Sequence, residues 1–390
     1  MINRPAVATV LALAWTTAAA DTQLLTVATS DKQADFFQLQ SSGRKNIAAD
    51  DRRVGLVWEE TRSGKSVSHL AFRIMDGEQG FGERLTLGNH DAFNPVIASC
   101  AGRFYVAWIE QDSVRASVYD GTAQGPVVQV VEGPINELSI ACRDDSALLA
   151  WSRRAGKGYA VEAGSVHAQP GELKRGPVVA VAPTDTYQFQ TNPGVAYAKG
   201  RVVVTWHDRS SGTNLLYASS GTSLDKLDKQ VQINELIKKS YEWGSGSSAV
   251  RNALAVGKDQ RLVVVWLDKR ASRAGYKVYS AFSHDGGLSW GDNYDIIDEW
   301  GTIVPQWTPA VASNGGDKLM VVWMDAREDG NTIWSAQLNG LTWSANTNLS
   351  GDAEGAYSPV IAFSPDGTLH AAWIEKNNGG SRIRYYSTRD

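Results

Sequence analysis

The 390-residue chain carries 38 basic and 42 acidic side chains, a formal net charge of −4, which excludes a polycationic surface and with it nucleic acid and anionic membranes as general partners. Two cysteines and six scattered histidines do not make a metal centre, and neither metal nor cofactor is expected. Fourteen tryptophans and 37 glycines suit a turn-rich β protein packed on aromatic rings.

Residues 1–20 read as an export signal. Arg4 supplies a positive start, AVATVLALAW the apolar stretch, and Ala18, Ala19 and Ala20 a small-residue cleavage site before Asp21. That stretch is too short to span a bilayer, and no later segment is apolar enough to do so. The mature chain is expected to begin near Asp21, to form one domain over 21–390, and to work in the periplasm or outside the cell without membrane insertion. Two strand-like runs, TQLLTVATS (22–30) and ADFFQLQ (34–40), come next.

From there an apolar run ending in tryptophan, usually with an acid close behind, recurs seven times: VGLVWEE, FYVAWIE, ALLAWSR, VVVTWHD, LVVVWLD, LMVVWMD and HAAWIE. The tryptophans are Trp58, Trp108, Trp151, Trp206, Trp266, Trp323 and Trp373, spaced 43 to 60 residues apart. A period of that size marks a stacked array, because one repeat cannot bury its own apolar face. Upstream of each tryptophan lies a second element, NPVIA (94–98), NPGVA (192–196), RNALA (251–255), TPAVA (308–312) and SPVIA (358–362), with weaker copies KNIAA and NELSIA. A Gly/Asp/Lys turn, the tryptophan strand, a polar loop and a third strand such as YKVYSAFS or NTIWSAQL follow. Short β-branched and aromatic runs between such turns are antiparallel strands, and no long window keeps a helical period.

Three or four strands per repeat make a propeller blade, so the fold expected is all-β, a seven-bladed propeller of four-stranded antiparallel blades. The last repeat ends on SRIRYYS (381–387) with no fourth strand after it. An N-terminal strand completing that blade would close the ring and leave no open edge between first and last repeats. Cys100 and Cys142 stand eight and nine residues before Trp108 and Trp151. That matching placement permits an interblade disulfide in an oxidising compartment, beside the alternative of two free thiols.

Residues 283–290, Ser-His-Asp-Gly-Gly-Leu-Ser-Trp, match S-x-D-x-G-x-x-W, and a degraded copy, NGLTWSA (339–345), falls one repeat on. This resembles the Asp box of sialidases and other secreted propellers, and the pattern extends over all seven repeats. In that family the Asp box is structural and faces away from the ligand, which gives Ser283, Asp285 and Trp290 a structural role. The loops after each tryptophan and the loops entering each inner strand then share the opposite, upper face. Asp268 with Arg270 and Asp325 with Arg327 repeat a D-x-R spacing that reads as interblade salt bridges or as ligand contacts.

Non-repeating upper-face residues are the stronger candidates. Tyr241, Trp243, Trp300 and Trp307 offer platforms for sugar rings, with Tyr187, His90, Asp91, Arg270 and Arg327 as further substrate contacts. Sialidases use three arginines for the substrate carboxylate, a tyrosine nucleophile assisted by a glutamate, and an aspartate acid/base. AYSPVIAFSPDG resembles the family's segment bearing that tyrosine, which makes Tyr357 its match, with Glu242 as assisting carboxylate. Arg251 stands two residues before the position usually held by proline, as in the family's R-I-P motif. That motif belongs in the first blade, where Arg44-Lys45-Asn46 stands one residue out of step, and no aspartate follows Trp58 to serve as acid/base.

The leading expectation is a secreted or periplasmic propeller that binds or hydrolyses glycans, acidic sugars included, as an exo-sialidase-like glycoside hydrolase. A second reading is a non-catalytic scaffold docking a periplasmic protein. A third is a polysaccharide lyase resembling the seven-bladed ulvan lyases, built on His90, Tyr187 and Arg154.

Overall fold

The computed structural model describes residues 21–30, 35–39, 45–62, 64–75, 80–120, 124–182, 189–235, 248–270, 275–298, 305–328, 330–353, 355–377 and 379–389. The expected signal segment lies outside them. The described strands form seven antiparallel sheets, six of them running in chain order from an innermost to an outermost strand. Four sheets have four strands and three have five. In each of those three, one strand position is split into two short segments. Blade 6, for example, pairs both Thr342–Trp343 and Thr347–Asn348 with the strand Gly330–Asn339.

The ring closes as the termini require. Asp21–Ser30 pairs antiparallel with Gly380–Arg389, from Asp21 opposite Arg389 to Ser30 opposite Ser381, and becomes the fourth strand of blade 7. The second N-terminal run behaves differently. Phe36–Gln38 pairs with Glu59 to Thr61 in blade 1, while Ile47–Ala49 pairs with Val54 to Leu56 on the same strand. Blade 1 therefore has an inner strand in two pieces, held because Phe37 is buried among Ile47, Trp58 and Tyr385 whereas Phe36 faces outward.

All seven repeat tryptophans are fully buried between blades, and truncating such an indole costs about 3–5 kcal/mol. The acid of the repeat has a specific reason. Two residues along a strand returns to the same face, so the indole N–H of Trp108, Trp266, Trp323 and Trp373 donates to Glu110, Asp268, Asp325 and Glu375 at 3.2, 3.2, 2.9 and 2.9 Å. Blade 3 has Arg153 at that place, and Trp151 donates instead to Glu162 across the strand pair at 2.9 Å.

The lower face carries the staples. Cys100 and Cys142 form a disulfide between the inner strands of blades 2 and 3, with Cα atoms 6.0 Å apart. The Asp box is formed: Asp285 accepts from the Leu288 and Ser289 N–H groups at 3.0 Å each, and the Gly287 N–H donates to Ser283 Oγ at 2.9 Å. Gly286 and Gly287 supply φ values of 76° and 90°, which a turn of this kind requires. Trp290 packs with blades 4 and 5, and Trp343 of the degraded copy donates to Ser280 Oγ at 2.9 Å.

Blade 7 also contains a buried row, with Ser364 Oγ 2.7 Å from His370 Nε2 and His370 Nδ1 2.8 Å from Tyr385 Oη. The row looks like a nucleophile and its base, yet Ser364 and His370 are wholly buried. It belongs to the closure seam, where Arg73 of blade 1 reaches Tyr385 at 3.3 Å and also meets Gln23 of the N-terminal strand.

Candidate functional site

The upper mouth of the ring is built by one recurring irregularity. Each complete inner strand slips register against its neighbour just before the apolar segment, and at that slip Asn94, Asn192, Arg251, Thr308 and Ser358 adopt φ values of 50° to 57°. A β-bulge re-aims side chains, and a left-handed conformation is costly for a β-branched residue such as Thr308. The alignment corrects one expectation: Arg251 occupies the bulge itself, directly before Asn252 at the proline position.

Neighbouring blades hold these bulges. Glu59, next after Trp58, accepts from the Asn94 N–H at 3.2 Å, and His207, next after Trp206, accepts from the Asn252 N–H at 3.1 Å. Burial pushes His207 down to about 3, so the ring is neutral and its Nε2 is free to accept. Side-chain amides then bridge from blade to blade: Asn46 to the Pro95 carbonyl at 2.9 Å, Asn94 to that of Asn136 at 2.6 Å, and Asn252 to that of Asn192 at 2.7 Å.

Between blades 5, 6, 7 and 1 this frame leaves a cavity of about 120 Å³ lined by Phe37, Gln38, Leu39, Arg251, Thr308, Tyr357, Ser358 and Ile374. Arg251 is exposed and Tyr357 half-buried, and Thr308 Oγ1 is a buried hydroxyl with no partner among the described residues. Burial raises the Tyr357 hydroxyl above its ordinary value, and no carboxylate lines the cavity among the described residues. Arg251 and Tyr357, separated by more than a hundred residues in sequence, are thus brought together. Thr308, Gln38 and Ser358 are additions that sequence reasoning missed, although aligning the residue before each inner-strand proline puts Thr308 and Ser358 beside Arg251.

Trp307, next to Thr308, is 39% exposed, with its ring 5.9 Å from that of Tyr276. Glu242, Tyr241, Trp243, Trp300 and Tyr187 lie outside the described residues. His90 and Asp91 are exposed, but they line a separate groove of about 690 Å³ with Lys65, Phe93 and Gln111, which shares no residue with the Arg251 cavity. Arg154 is not among the residues that line it.

Arg270 and Arg327 are occupied elsewhere. Arg270 Nη2 donates to Asp268 at 2.8 Å and to Asn293 at 2.7 Å, and its guanidinium lies 4.6 Å from the Tyr279 ring. Arg327 Nη2 donates to Asp325 at 2.7 Å and Nη1 to Asn346 at 3.2 Å, with the Trp334 ring 4.1 Å away. Both side chains are almost wholly buried, being 3% and 4% exposed. The D-x-R pairs are therefore bonds within one blade, at the end of its tryptophan strand and two residues apart, rather than interblade bridges or open forks for a ligand. Each also reaches an acid on the preceding connection, Glu235 at 3.3 Å and Asp298 at 3.4 Å. Asp268 further accepts from the Ser248 N–H at 3.1 Å. The two arginines fasten the bases of upper-face loops.

No protein-family model and no curated protein matches the sequence. Among solved structures the chain is similar to the NanB sialidase of Streptococcus pneumoniae, at 10% identity over 90% of this chain and 70% of that one, with a TM-score of 0.47. It is similar to the GH93 α-L-arabinofuranosidase of Fusarium graminearum, at 14% identity over 76% and 91%, TM-score 0.49, and to the α-L-arabinanase of Penicillium chrysogenum, at 12% over 74% and 90%, TM-score 0.48.

Proposed function

We propose that the upper mouth binds glycans, with the Arg251, Thr308, Tyr357 and Ser358 cavity holding an acidic sugar. The observation that carries this reading is the meeting of Arg251 with Tyr357 and an unpartnered Thr308 hydroxyl in one cavity that no described carboxylate lines. An exposed guanidinium without an acid beside it is a fork for a ligand carboxylate. A buried hydroxyl without a partner gains most from a ligand's hydrogen bond. Trp307, the exposed residue that precedes Thr308, would supply an aromatic face for a sugar ring.

Hydrolysis is the finer part of the proposal. Burial moves the Tyr357 phenol away from ionisation at neutral pH, so a nucleophilic role needs a carboxylate to remove its proton, and Glu242 is the residue the sequence offers. Export accompanies the reading: the Cys100–Cys142 disulfide fits an oxidising compartment, and no helix of the described residues is long and apolar enough to cross a membrane.

Residues 21–390 assayed with a fluorogenic sialoside test the catalytic part. Turnover that Tyr357→Phe abolishes supports a tyrosine nucleophile, and turnover unchanged in that variant removes Tyr357 from the role. Equilibrium binding of an acidic oligosaccharide tests the rest, with loss of binding expected in Arg251→Ala.

A further inference from the structure

The upper face is lower at blade 2 than at the blades beside it, and strand lengths are the cause. The central hairpin of blade 2 turns two residues after Trp108, with Glu110 paired to Ser113 and the turn made by Gln111 and Asp112. Those of blades 1 and 3 run two residues further, to the pairs Arg62 with Lys65 and Ala155 with Gly158. At the rise of an extended chain the difference is about 7 Å. Gln111 and Asp112 have φ values of 49° and 53°, the conformation of a two-residue hairpin turn.

The connection entering blade 2 is shaped to border this low place. Glu110 is 4% exposed and accepts from the Asn89 and His90 N–H groups at 2.7 and 2.9 Å. Gly88, at φ 73°, is required here, because a Cβ would meet Glu110 Oε2 at 2.9 Å. With the backbone so held, Asn89, His90 and Asp91 stand exposed. They share a cavity of about 690 Å³ with Lys65, Gln111, Asp112 and the half-buried Phe93. A further cavity of about 500 Å³ meets it along Thr86, Gly88, Asn89, His90 and Gln111 and extends the groove to Gln124. None of the side chains of Lys65, Asn89, His90, Asp91, Gln111 and Asp112 has a hydrogen-bond or ion-pair partner among the described residues. Glu110, Asp268, Asp325 and Glu375, the acids that follow repeat tryptophans, are by contrast each engaged.

We propose that this groove binds neutral sugar residues, as a second glycan site separate from the Arg251 cavity. Sugar hydroxyls donate and accept together, and the lining answers both. The Asp91 and Asp112 carboxylates accept, the Lys65 ammonium donates, and the amides of Asn89, Gln111 and Gln124 do both. One ammonium against two carboxylates leaves no surplus of positive charge to select an acidic sugar. Phe93 adds an apolar face, and the volume falls in the range of about 300–1,000 Å³ typical of ligand clefts. The inference rests on the glycan reading of the upper face but not on Arg251, since the groove and that cavity share no lining residue.

Calorimetric titration of residues 21–390 with short neutral oligosaccharides of glucose, galactose, mannose, xylose or arabinose tests this. Saturable binding of at least one is expected. In the double variant Asn89→Ala, Asp112→Gly the affinity falls about tenfold or more, the loss of two side-chain contacts. Both loops survive that change, because Ala keeps the N–H that Glu110 accepts and Gly suits the φ of 53°, so the unfolding midpoint stays in place. Arg251→Ala keeps the neutral binding, and the double variant keeps any binding of acidic sugars, which separates failure of this site from failure of the Arg251 cavity. Absence of binding by every neutral oligosaccharide overturns the proposal. So does equal affinity in the double variant, or neutral binding that Arg251→Ala abolishes.

Discussion

The Trp323 indole N–H and the Arg327 guanidinium converge on one carboxylate, that of Asp325, at 2.9 and 2.7 Å. Asp325 is 1% exposed, so its removal leaves the buried indole N–H unpaired and the buried guanidinium without its nearest acid, held by Asn346 and Asp298 at 3.2 and 3.4 Å. Asp325→Ala is expected to cost about 3–5 kcal/mol, read as a lower urea midpoint with an unchanged slope. Asp317→Ala, which removes only an exposed pair with Lys258, is expected to leave the midpoint where it was. Equal effects of the two substitutions would contradict the latch.

The interblade disulfide predicts no titratable thiol in the denatured, unreduced protein and two after reduction. With a sequence separation of 42 between the cysteines, the double substitution Cys100→Ser, Cys142→Ser is expected to lower stability by about 2–4 kcal/mol. Two thiols titrating before reduction would refute the bridge.

Much of this architecture could be read from the sequence because its signals are local. Tryptophan with an acid two residues on reports a strand face, and the Asp box reports a turn, so seven blades and their closure were legible. Phe36–Gln38 was harder to place: it and Ile47–Ala49 pair with separate stretches of one strand, and the repeat pattern has no register for an inner strand in two pieces. Arg270 and Arg327 share a spacing that serves a ligand or a latch equally well, and only burial between aromatic rings decides between them. Arg251 and Tyr357 were nameable singly, but their meeting with Thr308 depends on how closely the inner strands of successive blades approach at the bulge level, which no local pattern encodes.

His370 gives the closure seam a pH dependence. Burial, with the Arg73 charge adding to it, pushes its imidazole down to about 4, against about 6.5 in an unfolded chain. Between those values the unfolded chain takes up a proton that the folded chain refuses, so stability falls as pH drops from about 6.5 to about 4 and is level above. The contribution lost is about 3 kcal/mol. In urea unfolding at pH 7.5 and 4.5, the advantage of wild type over His370→Gln should shrink by that order at the lower pH. A constant difference would remove His370 from the acid response.

The Asp box separates stability from binding. Asp285 accepts four hydrogen bonds within its turn, two from backbone N–H groups and two from the Ser283 and Ser289 hydroxyls at 2.8 and 2.5 Å. Asp285→Ala is expected to lower the unfolding midpoint while leaving any glycan affinity intact, because the box lies on the face opposite Arg251. A variant of normal stability that no longer binds would move the site to the lower face.

The central claim is that the Arg251 cavity recognises acidic glycans, and a glycan array probed in parallel with wild type and Arg251→Ala tests it most directly. The account predicts that wild type retains carboxylate-bearing glycans and that the variant, equally stable, loses them. An array on which wild type retains nothing, or on which both proteins give the same profile, contradicts it.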